Sequence, residues 1–420
     1  NYLGVGSWQR RGRLPCWFWQ LCSFLKESLE NLEQFAIDVI LDRRKGMRAA
    51  MLRCVLFGLS GVYRQVINLR LFLYRNRILR EHNLGCMVIS IGNLTVGGTG
   101  KTPVVELFAK ALQKGGRRVA ILSRGYKSVK SPVQQRLKSR LTGKTIQAPP
   151  RVVSDGRELL LDSKTAGDEP FMLASNLRDV AVIVDKDRVK AGSFAISELG
   201  ADTLLLDDGL QYLKLRHRLD IVLIDRYAPF GNEYMLPRGT LREPPGNLRR
   251  ASYIFITKCD GGSNEELVKR IRKYNRTAEI IECRHRPLYL ENMLTRKREP
   301  LDYLEGKYIG TVSGIAIPES FENGLRSLGA NVEVVRRYAD HHRYTEKEII
   351  DFINRCLHRD LDCIVTTEKD CVRFPHLQRT DVPIYFLRVE IEIISGHETW
   401  DACINRICQP RPLVPAGRFF

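Results

Sequence analysis

From residue 86 onward the chain alternates short runs of consecutive apolar residues with segments whose apolar positions recur at helical spacing. The runs fall at 86–91, 119–122, 180–184, 203–206, 221–224 and 253–256, then at 308–312, 332–335, 363–365 and 384–387. Unbroken runs of this length suit strands covered on both faces, and their alternation with helical segments predicts an α/β fold with largely parallel sheets. A Pro- and Gly-rich interval at 229–245, holding Gly231, Pro237, Gly239, Pro244 and Pro245, separates two halves of similar length. The expected organisation is two α/β/α domains, 83–228 and 250–405, with a connector at 229–249 and a tail at 406–420. No repeat of fixed period and no low-complexity segment interrupts this pattern.

Before residue 83 the pattern changes. Between 43 and 80 stand ten basic residues and no acidic one, interleaved with the apolar run 54–63 and with Val66, Ile67, Leu69, Leu71, Phe72 and Leu73. Residues 51–82 therefore read as a basic apolar helix. A membrane-spanning helix needs about 20 apolar residues, and Arg64 and Arg70 interrupt this one. The helix is expected to lie in or dip into an anionic membrane surface. Residues 1–50 form an extension without an assigned role beyond an added helix at 29–41. A second acid-free stretch, 127–154, carries seven basic residues and Pro149-Pro150. It reads as a long surface loop suited to an anionic headgroup; no aromatics interleave with its charges, so nucleic acid is not an expected partner.

Composition narrows the class. The 420 residues are 44% hydrophobic and 27% charged, which excludes a disordered chain, a collagen-like repeat and a multi-span membrane protein. The net charge of +19 favours a polyanionic partner: nucleic acid, anionic lipid or a phosphorylated substrate. Eleven cysteines, an odd number scattered from Cys16 to Cys408 with no C-x-x-C pair, read as reduced thiols of a cytosolic compartment.

The strongest chemical signal follows the run at 86–91. Gly92-Asn-Leu-Thr-Val-Gly-Gly-Thr-Gly-Lys-Thr-Pro103 opens a helix with Val104, Leu107, Phe108, Ala111 and Leu112 on one face. Strand, glycine loop and helix together form a phosphate cradle: backbone N–H groups of the loop Thr95, Val96, Gly97, Gly98, Thr99 and Gly100 face the phosphates, Lys101 reaches the β/γ oxygens, and the Thr102 hydroxyl joins a Mg²⁺ shell. The strict P-loop pattern wants glycine where Thr95 stands. An apolar strand ending in Asp207-Asp208 supplies a carboxylate pair, costly there unless it faces a cation. Gly167-Asp168-Glu169-Pro170 and Asp340-His341-His342 hold residue types for acid–base work. A rival signal is Thr257-Lys258-Cys259-Asp260, a T-K-x-D pattern similar to the guanine-reading element of P-loop GTPases, although Asp207-Asp208-Gly209-Leu210 does not supply the D-x-x-G switch.

Taken together, the Gly92–Pro103 loop, Ser123-Arg124-Gly125-Tyr126, Gly167-Asp-Glu-Pro170, Asp207-Asp-Gly-Leu-Gln211, Phe230-Gly-Asn232, Leu236-Pro237, Arg242-Glu243-Pro244, Asp340-His341 and Thr367-Glu-Lys-Asp370 resemble the tetraacyldisaccharide 4'-kinase family of lipid A biosynthesis, over about 51–400. The family pattern also departs from glycine at position 95. The resemblance implies a P-loop NTPase-like core in the first domain, a membrane-associated N-terminal helix, and transfer of the γ-phosphoryl group of ATP, with Mg²⁺, to the 4'-hydroxyl of an anionic lipid at the cytoplasmic face of a Gram-negative inner membrane. It further implies that Lys101 and the loop hold the β/γ-phosphates and that Thr102 and Asp207 organise Mg²⁺, with Asp208 and Glu243 as further metal-linked carboxylates. Asp168 would take the hydroxyl proton with His341 as its dyad partner, and Arg124, Gln211 and Arg242 would contact substrate. The alternative from another class is a P-loop GTPase or metallochaperone-type nucleotide switch.

Overall fold

The computed structural model describes residues 34–125, 149–377 and 381–409. Most of the basic stretch 127–154, most of the extension 1–50 and the end of the tail fall outside these. The chain forms two compact units, one taking the chain up to Asn68 with Gly231–Arg242, the other taking Leu69–Phe230 and Glu243 onward.

The larger unit is built on a mixed sheet of 13 strands among the described residues. In chain order these are β1 (Met87–Asn93), β2 (Val119–Ser123), β3 (Arg151–Ser154), β4 (Ala181–Val184), β5 (Thr203–Asp207), β6 (Leu219–Asp225), β7 (Tyr253–Thr257), β8 (Glu279–Asn292), β9 (Arg298–Glu299), β10 (Tyr308–Ser313), β11 (Asn331–Arg337), β12 (Cys363–Thr367) and β13 (Ile384–Ser395). Their spatial order is β11-β10-β12-β13-β8-β7-β6-β1-β5-β2-β4-β3, with β9 on β8. Successive residues of β1 serve opposite faces, as strand geometry demands. Ile89 and Ile91 pack into a core with Phe108, Leu112 and Leu173, whereas Val88 packs with Ala191, Ala195 and Leu215. Both faces are covered, which is why the runs are continuously apolar.

All ten runs become strands, but the joint between the halves differs from the sequence reading. β6 and β7, which flank 229–249, pair in parallel from Ile221/Tyr253 to Asp225/Thr257, so the sheet continues across the expected connector. The parallel order gives way at β8. That strand pairs in parallel with β7 over Glu279–Glu282 and then antiparallel with β13 as far as Asn292. β13 in turn joins β12 in parallel. Neither the length of β13 nor β8 itself shows as an apolar run, because the ribbon is half exposed and carries Pro287. Proline in a central strand removes a ladder donor. Here the register shifts between Arg388 and Val389, opposite Tyr289 and Pro287, which absorbs the missing N–H.

The helix after β1, α2 (Lys101–Lys114), buries Val104, Val105, Phe108, Ala109 and Leu112. Phe108 meets Phe255 and Trp400 edge-on at 5.5 and 4.7 Å. Burial of each large side chain contributes roughly 1.5–3 kcal/mol and anchors the helix whose N-terminus carries the glycine loop. The described cysteines, Cys54, Cys86, Cys259, Cys283, Cys356, Cys363, Cys371, Cys403 and Cys408, are free.

Helix α1 (Met47–Arg75), which belongs to the smaller unit as far as Asn68, starts and ends before the expected 51–82, and residues 34–40 are helical. Ser60 holds α1 to the Pro/Gly-rich segment: its hydroxyl lies 2.9 Å from the Leu56 carbonyl and 2.8 Å from that of Met235, and accepts from Arg238 N–H at 3.1 Å. Arg238 also pairs with Asp42 at 2.7 Å. Elsewhere α1 exposes Met51, Val55, Leu59, Val62, Val66 and Leu69, each at least half exposed. Their spacing of three and four places them on one stripe. By length and composition α1 is long and apolar enough to cross a membrane.

Candidate functional site

β1 is the strand at which the sheet's chain order reverses: β5 lies on one side and β6 on the other. In open α/β sheets such a switch point leaves a crevice at the strands' carboxyl ends. The glycine loop follows β1 there, and the register Ile91/Asp207 sets the end of β5 beside it. Two glycines are fixed by geometry. Gly92 lies so close to Leu210 that an added Cβ would stand 2.7 Å from the Leu210 Cβ. Gly100, which precedes α2, has φ +78°, and its added Cβ would meet the His285 ring at 2.8 Å. Burial, then the neighbouring charge of Lys258, pushes the His285 pKa down to about 4, so this ring is neutral. Gly100→Ala should therefore cost about 1–3 kcal/mol from left-handed strain and overpacking, read as a lower urea midpoint with unchanged circular dichroism.

Behind the loop, Thr257 hydroxyl donates to the Thr99 carbonyl at 3.0 Å, while Lys258 pairs with Asp225 at 2.5 Å and Asp260 with Arg226. The T-K-x-D residues thus brace the loop and the strand ends. Lys101 Nζ donates to Asn93 Oδ1 at 3.3 Å and lies 3.9 Å from Asp208. Thr95, Thr99 and Thr102 are buried, whereas Val96 is exposed. Asp208, at φ +56°, is one of the few non-glycine residues in the left-handed region, a conformation enriched at functional sites. Asp207 is buried and accepts from Ser123 hydroxyl at 3.3 Å. Burial, then the charges of Glu169 and Asp208, raise its pKa well above the carboxylate range. Lys101 offsets part of this effect.

A cavity of about 530 Å³ opens over the loop. Its walls come from both halves of the sequence: the loop from Val96 to Pro103, Glu169 and Met172 of α3 (Asp168–Asn176), then Phe321, Asp340, His341 and Thr367-Glu368-Lys369, which leads into α4 (Glu368–Cys371). Asp168 and His341, 173 residues apart, meet at 3.4 Å between Oδ2 and Nδ1. His342 does not share this contact; it stacks on Tyr338 and bonds Glu348 at 3.2 Å.

Two arginines absent from the sequence reading surround this contact. Arg373, fully buried, donates to Asp168 at 2.8 Å, to Asp370 and the Gly314 carbonyl at 3.1 Å, and to His341 Nδ1 at 3.1 Å. Arg343 donates to the other Asp168 oxygen at 2.9 Å. His341 Nδ1 can accept from Arg373 in one tautomer or donate to Asp168 in the other. Burial works to raise the Asp168 pKa, but the His341 hydrogen bond and the two arginine charges outweigh it and hold the carboxyl below its ordinary value. Arg373 lies three residues past Thr367-Glu-Lys-Asp370; that motif was its only sequence signal.

The remaining expected residues are placed less directly. Gln211 donates to the Asn93 carbonyl at 3.2 Å and to Glu243 at 3.1 Å. Glu243 is buried and also accepts from Asn247 at 2.9 Å and Arg250 at 2.6 Å, both at Oε2, whereas Gln211 reaches Oε1. Arg124 is exposed after β2 and does not line the cavity. Arg242 belongs to the smaller unit, where its carbonyl accepts from Tyr63 hydroxyl at 3.2 Å.

Residues 52–409 match the family model described as tetraacyldisaccharide-1-P 4'-kinase. A tetraacyldisaccharide 4'-kinase of Anaeromyxobacter dehalogenans (strain 2CP-C) is 37% identical over 86% of this chain and 92% of its own. One from Halothermothrix orenii is 34% identical over 87% and 95%. Among solved structures, LpxK from Aquifex aeolicus, in complex with ATP, superposes with a TM-score of 0.65 at 28% identity, covering 85% of this chain and all of that one. The matched span covers most of the chain, and the chain belongs to the tetraacyldisaccharide-1-P 4'-kinase family.

Proposed function

We propose that this protein transfers the γ-phosphoryl group of ATP to the 4'-hydroxyl of a tetraacylated glucosamine disaccharide 1-phosphate. The observation that carries this reading is the Asp168–His341 contact in the region of the cavity that the glycine loop floors. We read the sheet as two α/β lobes joined by the β8/β13 ribbon, the first with a P-loop NTPase-like core. Backbone N–H groups of 97–100 and the Lys101 ammonium bind the β- and γ-phosphates. A buried carboxylate raised by its acidic neighbours fits a divalent cation: Thr102 hydroxyl and the Asp207 carboxylate would hold Mg²⁺, with Asp208 beside them. When bound, Mg²⁺ neutralises phosphate charge. Glu243 orients Gln211 against the β1 end. Asp168, ionised at neutral pH, accepts the proton of the sugar hydroxyl as the new bond forms, and His341 orients it and relieves it of that proton.

The test supplies Mg²⁺, γ-labelled ATP or GTP, and the tetraacyl disaccharide 1-phosphate in detergent micelles. Label should move from ATP to lipid, and Lys101→Ala should abolish the transfer. Transfer from GTP in preference to ATP, or none to lipid by an intact nucleotide-binding protein, would replace this reading with the nucleotide switch.

The same reading puts the reaction at the cytoplasmic face of a Gram-negative inner membrane, with α1 lying on the lipid. At about 1.5 Å per residue its 29 residues reach about 43 Å. The apolar stripe and the basic side chains suit an anionic surface. Replacing Val55, Leu59, Val62 and Val66 together by Gln should release the protein from vesicles containing anionic phospholipid, since each buried apolar side chain contributes roughly 1.5–3 kcal/mol. All four are exposed, so the fold should persist. Unchanged co-sedimentation with vesicles would move the membrane role elsewhere.

A further inference from the structure

The glycine loop brings positive charge to the phosphates through Lys101. A transferring phosphoryl group also spreads charge over its equatorial oxygens, and related transferases meet that charge with a second cation. Thr367-Glu368-Lys369-Asp370 carries one. Three of its four members are committed elsewhere. Thr367 caps α4, its hydroxyl accepting from Asp370 N–H at 3.1 Å. Glu368 accepts from Arg388 and Asn176, both at 2.6 Å. Asp370 is fully buried and accepts from Tyr344 at 2.9 Å and Arg373 at 3.1 Å.

Lys369 is placed differently. It lines the loop cavity and keeps 26% of its side chain exposed. Its ammonium lies 3.5 Å from Asp340 and 3.7 Å from Glu169. Those are the residues next to His341 and Asp168, so the charge stands where the two halves of the dyad meet. Both separations exceed the usual 2.7–2.9 Å of a charge-assisted bond, and such half-exposed pairs are worth little, roughly 0–1 kcal/mol. An anionic oxygen entering the cavity can take the ammonium over at small cost.

We propose that Lys369 is a catalytic residue that binds the transferring phosphoryl group from the second half of the chain. The proposal rests on the kinase reading above. In the step, the sugar oxygen bonds to the γ-phosphorus while the bond from that phosphorus to the β–γ bridging oxygen breaks. The electron pair leaves with ADP, and the hydroxyl proton passes to Asp168. Lys369 donates a hydrogen bond to an equatorial oxygen throughout and transfers no proton.

The test compares wild type, Lys369→Ala, Lys369→Arg and Asp340→Asn by steady-state kinetics and by ADP binding with and without aluminium fluoride, which with ADP imitates the planar transferring group. Lys369→Ala should lower kcat about 10²- to 10³-fold, the loss expected for one preorganised donor to developing charge. KM for both substrates and affinity for ADP alone should hold, but the tighter ADP binding that fluoride gives wild type should vanish. Lys369→Arg should recover part of both, and Asp340→Asn, which removes one ion pair but keeps the ammonium, should retain the fluoride effect. Unchanged kcat in Lys369→Ala, a persisting fluoride effect, or equal losses in Asp340→Asn would overturn the proposal and make Lys369 a strut between the halves. Wild type that transfers no label to lipid would instead remove the kinase reading beneath it.

Discussion

Asp168→Asn should lower kcat by about 10²- to 10⁴-fold, the range expected when a general base is lost, with KM for ATP nearly unchanged. The amide keeps the size of the carboxylate but cannot accept a proton as the carboxylate does. Asp168 begins α3, next to Gly167, whose φ of +97° turns the chain into the helix. It is nearly buried, and its two oxygens receive Arg373, Arg343 and His341, so its position is overdetermined. His341→Ala should cost less, about 10²-fold, because Arg373 and Arg343 still hold the carboxylate. On the proposed reading the glycine loop holds the nucleotide, so its affinity should survive both changes. The measurement is kcat and KM for ATP in micelles beside nucleotide affinity by calorimetry; turnover unaffected by Asp168→Asn would remove the dyad from the mechanism.

The legibility of this site in the sequence follows from what each part is made of. Where one strand, one loop and one helix are contiguous, the spacing of Gly97, Gly98, Gly100, Lys101 and Thr102 is itself the geometry. Asp207 was legible because an ionisable pair ends an otherwise apolar run. The Asp168–His341 pairing was not legible in spacing, since 173 residues separate the partners; the family resemblance supplied it. Arg373 and Arg343 escaped notice because one arginine among many reads as a solvated charge until burial shows otherwise. The ribbon of β8 and β13 escaped for a related reason: a half-exposed strand with Arg284, Arg286 and Pro287 has neither the apolar run nor the clean alternation of a strand. The Pro/Gly-rich interval drew the boundary instead, although its Gly231–Arg242 part belongs to the smaller unit with most of α1.

Arg373→Met should produce the largest loss of stability, about 3–5 kcal/mol at neutral pH, the cost of breaking a buried ion network by removing one partner. The guanidinium is fully buried and joins Asp168, Asp370, the Gly314 carbonyl and His341. Methionine fills much of the volume but leaves the carboxylates facing one another without the shared cation. The pH dependence separates this from a packing defect. In wild type the folded-state pKa of Asp168 is depressed, so its contribution is present above the ordinary carboxylate value and is lost as pH falls through the lower folded one. Without Arg373, two of the influences that lower that pKa are gone while burial remains, so it moves up and the variant is penalised at high pH and relieved as the carboxyl takes a proton. The difference in urea unfolding free energy between wild type and variant should therefore be widest near pH 7.5 and shrink toward pH 4.5. Arg373→Lys, which restores charge but not the planar fork, should fall between them. A difference that is the same at both pH values would assign the loss to packing, and the arginine would then be a filler of the joint rather than the group that keeps Asp168 ionised.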